Sequence, residues 1–313
     1  MTVLEAIQKS SDFLGKKNVE SPRLQTELLL AHLLKMPRMK LYLNFDRVLT
    51  PPETDTLREY IKRRSQREPL QHITGSTSFC GYEIAVSRQV LVPRPETELL
   101  AELGWQFLLA APKRNEGGST LNSQTSTALD FCTGSGCIAI ALAAKCPDAK
   151  ITATDISADA LALARENAAR NNVAERIEFL QGDGFAARNV LEERGRPTRE
   201  LHTNTQAGRL RSFDLILSNP PYIPSAEIAT LQPEVRDFDP RLALDGGADG
   251  LEFYRLIAAQ AQTLLKPGGK VMVEFGDGQA EAIRKIFESE KWIVEAVRED
   301  YSHRARILIA RAG

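Results

Sequence analysis

Between residues 128 and 310 this chain alternates short apolar runs with stretches of helical length, and that alternation admits few folds. Residues 128–131, 150–154, 176–180, 213–217, 270–275, 292–297 and 306–310 read as strands. Helical patterns fill 138–145, 158–171, 250–265 and 279–289, the third closed by Lys266-Pro267-Gly268-Gly269. Strands separated by helices return in the same direction. The reading is therefore an α/β fold with a doubly wound, mainly parallel seven-stranded sheet. The last two strands have only a short connector and should pair antiparallel. Open sheets of this kind bind ligands outside the carboxyl ends of their strands.

The first 75 residues carry a different, helical signal and read as a small domain of their own. Ser21-Pro22 supplies an N-cap and an N1 proline for a helix with Leu24, Leu28, Ala31 and Leu34 on its apolar face. Thr50 and Glu53 have capping-box spacing, and the helix they open carries Leu57, Tyr60 and Ile61 on one side. It ends in Lys62, Arg63, Arg64 and Arg67, readable as a solvated face or as a docking surface for an acidic or RNA-associated partner. In 76–95, Phe79, Tyr82, Ile84, Val86, Val90 and Val92 suggest a hairpin with Gly81 in its turn. Pro93-Arg94-Pro95 stops it and Glu96-Thr97-Glu98 opens a helix to about 111, so 96–313 forms the larger domain. Residues 112–127 and 192–211 lack periodicity and read as surface connections.

Charge and composition narrow the function classes. Forty basic against 41 acidic residues give a net charge of −1, so no global field favours nucleic acid. No apolar run reaches the roughly 18–20 residues needed to span a bilayer, and the N-terminus lacks a secretory pattern. Cys80, Cys132, Cys137 and Cys146 form no CxxC and have no histidine pair nearby. That argues against a disulfide framework or a metal site and fits a reducing cytosol.

Two stretches carry chemistry. Ser218-Asn219-Pro220-Pro221-Tyr222 follows the strand 213–217, and two prolines without N–H groups cannot continue in a paired sheet. The chain must leave the sheet stiffly, offering the Asn219 carboxamide and the Pro220 carbonyl at the ligand-binding edge. An ordinary rigid turn is the bland alternative. Asp130-Phe131-Cys132-Thr133-Gly134-Ser135-Gly136 links a strand to a helix, and its glycines let backbone approach a ligand. Asp155 ends the next strand, 19 residues after Gly136, where a carboxylate can accept from ribose hydroxyls. Asp183, one strand later, can accept from an adenine amino group. Gly134-x-Gly136-x-x-Ala139 with a downstream acid also fits a nicotinamide dehydrogenase. Asp183 and the Asn-Pro-Pro-Tyr stretch weigh against that rival, as does the lack of a histidine after a later strand.

Taken together, these residues resemble the class I S-adenosylmethionine-dependent methyltransferases, whose fold is Rossmann-like. More closely, the chain is similar to the protein-glutamine N5-methyltransferases that act on class I peptide-chain release factors. The likeness spans nearly the whole chain: Arg67-Glu68-Pro69-Leu70-Gln71-His72-Ile73-Thr74-Gly75, Val92-Pro93-Arg94-Pro95-Glu96-Thr97-Glu98, the glycine loop, Asn219-Pro220-Pro221-Tyr222, and Pro240-Arg241-Leu242-Ala243-Leu244 with Gly247 and Asp249-Gly250. The resemblance implies that Cys132, Thr133, Gly134, Ser135 and Gly136 hold the methionine part of S-adenosyl-L-methionine. It implies Asp155 and Ile156 at the ribose, Asp183, Gly184 and Phe185 at the adenine, and Asn219 beside the cofactor. Asn219, Pro220, Pro221 and Tyr222 would hold the substrate glutamine of a Gly-Gly-Gln loop, with Asn219, Pro220 and Tyr222 catalytic. It further implies a cytoplasmic monomer with release factors as protein substrates, no membrane and no direct nucleic-acid substrate. Adenine-N6 and guanine-N2 nucleic-acid methyltransferases share Asn-Pro-Pro-Tyr, and a non-catalytic cofactor-binding module is a further alternative. The chain departs from the family at Cys132, where glycine is usual. A requirement for positive φ there would weaken cofactor binding.

Overall fold

The computed structural model describes residues 1–110, 125–182 and 213–313. Residues 112–124 and 192–211 of the expected connections, and Asp183, Gly184 and Phe185, lie outside the described residues. The N-terminal part is helical: α1 (Val3–Lys16), α2 (Pro22–Leu33), α3 (Arg38–Leu41), α4 (Pro51–Ser65) and α5 (Leu70–Thr74). α1 and α4 each open with a complete capping box, Thr2 with Glu5 and Thr50 with Glu53. Val3, Ile7, Leu14, Leu29, Leu30, Leu41, Leu57 and Ile61 close one apolar core among them.

Two expectations about α2 are corrected. Ser21 sits in the left-handed region at φ 47° and its side chain makes no cap bond, although Pro22 does occupy the first turn. The helix buries Thr26, Glu27, Leu29, Leu30 and Ala31, while Leu24 stays largely exposed. Glu27 sets that rotation. Its carboxylate accepts from Arg23, Arg38 and Tyr42 at 2.9–3.0 Å, so turning it inward gives α2 an ion-paired hub rather than an orphan charge.

The hairpin is shorter than expected: β1 (Ser76–Phe79) and β2 (Tyr82–Ala85) pair antiparallel, and Val90 and Val92 are buried outside any strand. Cys80 and Gly81 both have positive φ, the requirement of a tight two-residue turn. α6 (Pro95–Ala110) then lies across the sheet. A Cβ on Gly104 would stand 2.6 Å from Leu217 Cδ2, so the absent side chain lets this helix press directly on a central strand.

The sheet contains β3 (Thr127–Phe131), β4 (Lys150–Asp155), β5 (Ile177–Gln181), β6 (Phe213–Ser218), β7 (Leu265–Glu274), β8 (Trp292–Glu299) and β9 (Ala305–Ala312), in the order β5-β4-β3-β6-β7-β9-β8. β3 to β7 run parallel, while β9 is antiparallel to both β7 and β8, as the sequence implied. α7 (Cys137–Lys145) and α8 (Ala158–Arg170) join α6 on one face. There Leu215 and Leu217 point into one core. The short α9 (Pro233–Arg236) follows β6, and α10 (Glu252–Gln260) and α11 (Ala280–Ser289) cover the other face with Ile216, Val271 and Val273. Period-two alternation along β6 thus feeds both layers. Lys266-Pro267-Gly268-Gly269 does not close α10, which ends at Gln260. It forms an irregular excursion at the start of β7, where pairing to β6 skips from Leu265 to Lys270.

The basic run of α4 is a solvated helix end only in part: Lys62 is exposed, as that reading expects, but Arg64 and Arg67 are not. Arg64, with its side chain 5% exposed, and Arg67 grip opposite oxygens of Glu234 in α9 at 2.9 and 2.6 Å. Arg63 pairs with Glu68 instead. Burial alone would raise the Glu234 pKa, but hydrogen bonds from Arg67 and Arg64 hold it below the ordinary carboxylate value. Arg64 and Arg67 thus form an internal clamp between the helical part and the segment after β6. Glu234→Ala strands two guanidiniums and should cost about 2–4 kcal/mol of stability in denaturant melts, partial exposure keeping it near the lower figure.

Candidate active site

In the strand order, β4 and β5 extend to one side of β3, and β7 extends to the other side of β6. The crossovers therefore reverse between β3 and β6, which opens a crevice at their carboxyl ends. Both chemical motifs leave from this point, because Phe131 and Ser218 are register partners. The buried Ser218 hydroxyl donates to the Phe131 carbonyl at 2.6 Å, fixing the two departures relative to each other.

The glycine loop turns through three left-handed residues: Cys132 at φ 63°, Gly134 at 53° and Gly136 at 81°. Asp130 holds it from below. One carboxylate oxygen accepts from the Thr133 hydroxyl at 2.6 Å and the Ala139 N–H at 3.1 Å, while Oδ1 is buried with no partner. Burial pushes the Asp130 pKa up to about 7. Asp155 does not point both oxygens freely at a ligand. Oδ2 accepts from the Gly134 N–H and Oδ1 from the Ser157 N–H, each at 2.9 Å. Each oxygen keeps a lone pair for a second donor. Burial raises the Asp155 pKa as well.

Cys132 meets the condition set by the sequence, since its φ is positive and a β-carbon there strains the backbone. Burial raises the pKa of its thiol well above the usual value. The residue packs on the core that holds Phe131 and Tyr254 and also borders the cavity over the loop. A cavity of about 240 Å³ lies over this loop, bordered by Gly134, Ser135, Asp155, Ile156, Gly182 and Asn219.

β6 ends at Ser218, and the two following prolines are buried in trans geometry. Asn219 donates from Nδ2 to the Thr97 hydroxyl oxygen at 3.1 Å, and its Oδ1 is buried without a partner. The Tyr222 carbonyl accepts from Gln279 at 2.9 Å. Glycines make room for this segment: a Cβ on Gly250, at φ 74°, would fall 2.3 Å from the Tyr222 carbonyl oxygen. A second cavity, about 640 Å³, opens beside Asn219, Pro220, Tyr222, Arg94, Glu274 and Arg306. The two cavities share Leu91, Arg94, Asn219 and Ala243. The structure thus gathers residues 132–135, Asp155, Ile156 and Asn219 on one cavity, with Asn219, Pro220 and Tyr222 on its neighbour; Gly136 does not border the first cavity and packs on Ala164 of α8 instead. Pro221 borders the first cavity rather than the second.

Three groups escaped the sequence reading. Thr97 is buried on α6 against Asn219. Glu274, at the end of β7, is buried with Oε2 unpartnered, and burial pushes its pKa up to about 7. Arg94 pairs with Asp239 at 2.8 Å across the cavity wall. An acid closing a strand was a usable signal for Glu274, but Thr97 carried none beyond its place in the Pro93–Glu98 stretch.

The arrangement suits S-adenosyl-L-methionine. A Cβ on Gly134 would meet nothing within 4 Å, so its backbone faces open space. The Asp155 lone pairs offer ribose acceptors there, and the partnerless Asp130 oxygen offers another beneath the loop. Without a ligand, the ionised Asp130 is a cost. Its folded pKa lies above the ordinary 3.8, so the group favours the fold fully below that value, and the benefit is lost as pH rises to about 7. Asp130→Asn should therefore raise the melting temperature at pH 8 and lose much of that advantage near pH 5. The difference in stability between the two conditions should be roughly 2 kcal/mol, read from thermal melts.

Comparison with known proteins agrees with this geometry. Residues 5–75 match the PrmC N-terminal domain and residues 122–308 match a methyltransferase domain. A release factor glutamine methyltransferase of Geobacter sulfurreducens is 41% identical over 286 residues, covering 91% of this chain and 88% of that protein. Another, from Chlorobaculum tepidum, is 42% identical over 303 residues, covering 96% and 94%. A bifunctional methyltransferase of Rickettsia felis is 32% identical over 323 residues, 98% of this chain but 58% of its own length. With such identity sustained along both the helical part and the sheet, the chain belongs to the release factor glutamine methyltransferase family.

Proposed function

We propose that this enzyme transfers a methyl group from S-adenosyl-L-methionine to the side-chain amide nitrogen, N5, of the glutamine in the Gly-Gly-Gln motif of class I peptide-chain release factors. The observation that carries the reading is the Asn219 Oδ1 acceptor, buried and unpartnered where the two cavities meet. A buried acceptor without a donor is costly, and a primary amide brings two donors. Asn219 Oδ1 takes one N–H, and the Pro220 carbonyl, which no described residue engages, takes the other. An amide nitrogen is a weak nucleophile because its lone pair is delocalised into the carbonyl. Holding both N–H groups pins it and favours the change of geometry as the new bond forms, a gain specific to the transition state. Tyr222 packs the substrate side chain and excludes water. The ligand supplies a sulfonium-activated methyl group when bound, so the chain's own task is orientation. The proton lost from nitrogen leaves after transfer and needs no strong base.

Residues 132–136, Asp155 and Ile156 hold the donor in this reading, completed by Asp183, Gly184 and Phe185 at the adenine. The helical part, 1–75, recognises the release factor, 76–95 links it, and 96–313 carries out methyl transfer. The family assignment and the names of the relatives support the release factor as substrate over a nucleic acid. Among the described residues no helix is long and apolar enough to cross a membrane. A monomer acting in the cytoplasm, where release factors work, is the corresponding proposal for state and place.

Labelled methyl donor incubated with this protein and purified release factor, DNA or RNA should label the release factor at glutamine. Label in nucleic acid alone would overturn the assignment. Asn219→Ala should lower the rate by about 100-fold or more, the scale of losing one preorganised hydrogen-bonding group, while donor affinity by calorimetry stays within about threefold.

A further inference from the structure

Helix α8 turns Ala160, Leu161, Ala164, Asn167 and Ala168 inward, so a carboxamide stands in a stripe of apolar residues. Asn167 is fully buried, where such a group is costly unless its hydrogen bonds are made. They are made to backbone groups of two distant segments. Oδ1 accepts from the Ala85 N–H at 2.8 Å, while Nδ2 donates to the Ala85 carbonyl and to the Ser135 carbonyl, each at 3.0 Å. These partners fix the orientation of the side chain. Turning it over would set Nδ2 against an N–H donor and Oδ1 against two carbonyls. Ser135 belongs to the glycine loop. Ala85 ends β2 and opens the segment that reaches α6, from which Gln89, Val90, Leu91, Pro93 and Arg94 border the same cavity of about 240 Å³ as the loop does. One turn before Asn167, Ala164 stands against the end of the loop, where a Cβ on Gly136 would fall 3.0 Å from the Ala164 Cβ.

We propose that Asn167 is a positioning residue of the donor site, which fastens the glycine loop and the 85–94 segment to one helix and so sets the spacing of the walls between which S-adenosyl-L-methionine binds. The inference rests on the donor cavity of the proposed function. Asn167 itself does not border that cavity, so its effect passes through the two segments it holds. Both need holding. The loop carries left-handed Cys132, Gly134 and Gly136, a conformation that persists only where its surroundings fix it. The segment after Ala85 belongs to no strand or helix until Pro95, so no ladder of backbone bonds keeps it in place. Asn171, one turn after Asn167, supplies a comparison within the same helix. Its Nδ2 donates to the Glu83 carbonyl of β2 and to the Asn167 carbonyl, each at 2.9 Å, which ties α8 to the hairpin and not to the loop.

The test compares Asn167→Leu, Asn171→Ala and Asp155→Ala with the parent. It measures S-adenosyl-L-methionine affinity by calorimetry at a temperature where each protein is folded, then kcat and KM for release factor at saturating donor. Leucine keeps the size of the side chain and removes all three hydrogen bonds. Asn167→Leu should bind the donor about tenfold or more weakly, with kcat and KM for release factor within about threefold of the parent. Asn171→Ala should keep donor affinity within about threefold, because it loosens the hairpin without releasing the loop. Parental donor affinity in Asn167→Leu, or an equal loss in Asn171→Ala, overturns the positioning role. Asp155→Ala reports on the cavity itself. If it binds the donor as tightly as the parent, the donor lies elsewhere and that reading fails. If it loses the donor while Asn167→Leu keeps it, only the role of Asn167 fails. Should the leucine variant not fold, Asn167→Ser is read by the same criteria.

Discussion

Everything at this site depends on the parallel pairing of β3 with β6, two strands that are far apart in the chain and adjacent in the sheet. Their register puts Phe131 beside Ser218, and the Ser218 hydroxyl closes the pair at 2.6 Å. From that one level the glycine loop turns one way and Asn-Pro-Pro-Tyr the other. A slip of one residue would turn Ile216 and Leu217 to the wrong layers. Burial on both faces thus specifies the register that brings a donor cavity and an acceptor cavity together at Asn219.

Buried charge is distributed with a purpose that is visible in its energetics. Away from the cavities, Glu27 and Glu234 are surrounded by donors. Burial acts against their ionisation, yet hydrogen bonds from Arg23, Tyr42 and Arg38 in one case, and Arg67 and Arg64 in the other, leave both pKa values lowered. At the site the balance is reversed. Burial raises Asp130, beneath the glycine loop, and Glu274, on the second cavity, to about 7, and each keeps an oxygen without a donor in the hydrogen-bond network. Such groups are liabilities to the fold and acceptors for something else. Cys132 adds backbone strain at the head of the loop, in a left-handed conformation.

Much of this was legible from residue order alone. The strand pattern, the antiparallel final pair, the capping box at Thr50 and the Gly81 turn all follow from local chemistry, and the structure agrees with each. The failures share a cause. Ser21, the buried face of α2 and the Lys266–Gly269 stretch were read by propensity, and tertiary partners overrode it: Glu27 rotated α2 about its ion pairs, and sheet pairing drew Leu265 onward into β7. The Lys62–Arg67 run looked solvated because its partner, Glu234, lies 170 residues from Arg64.

The sequence by itself determined the alternating strands and helices, the rigid exit from β6, and the presence of glycines and acids at the strand ends. Those are consequences of side-chain periodicity, of prolines without N–H groups, and of backbone freedom at glycine, all acting within a few residues. Only the tertiary structure decided which way Asn219 faces. Its Nδ2 donates to the hydroxyl oxygen of Thr97, 122 residues away in the chain. A carboxamide's orientation is set by the donors and acceptors packed against it, and those arrive only when α6 and β6 come together.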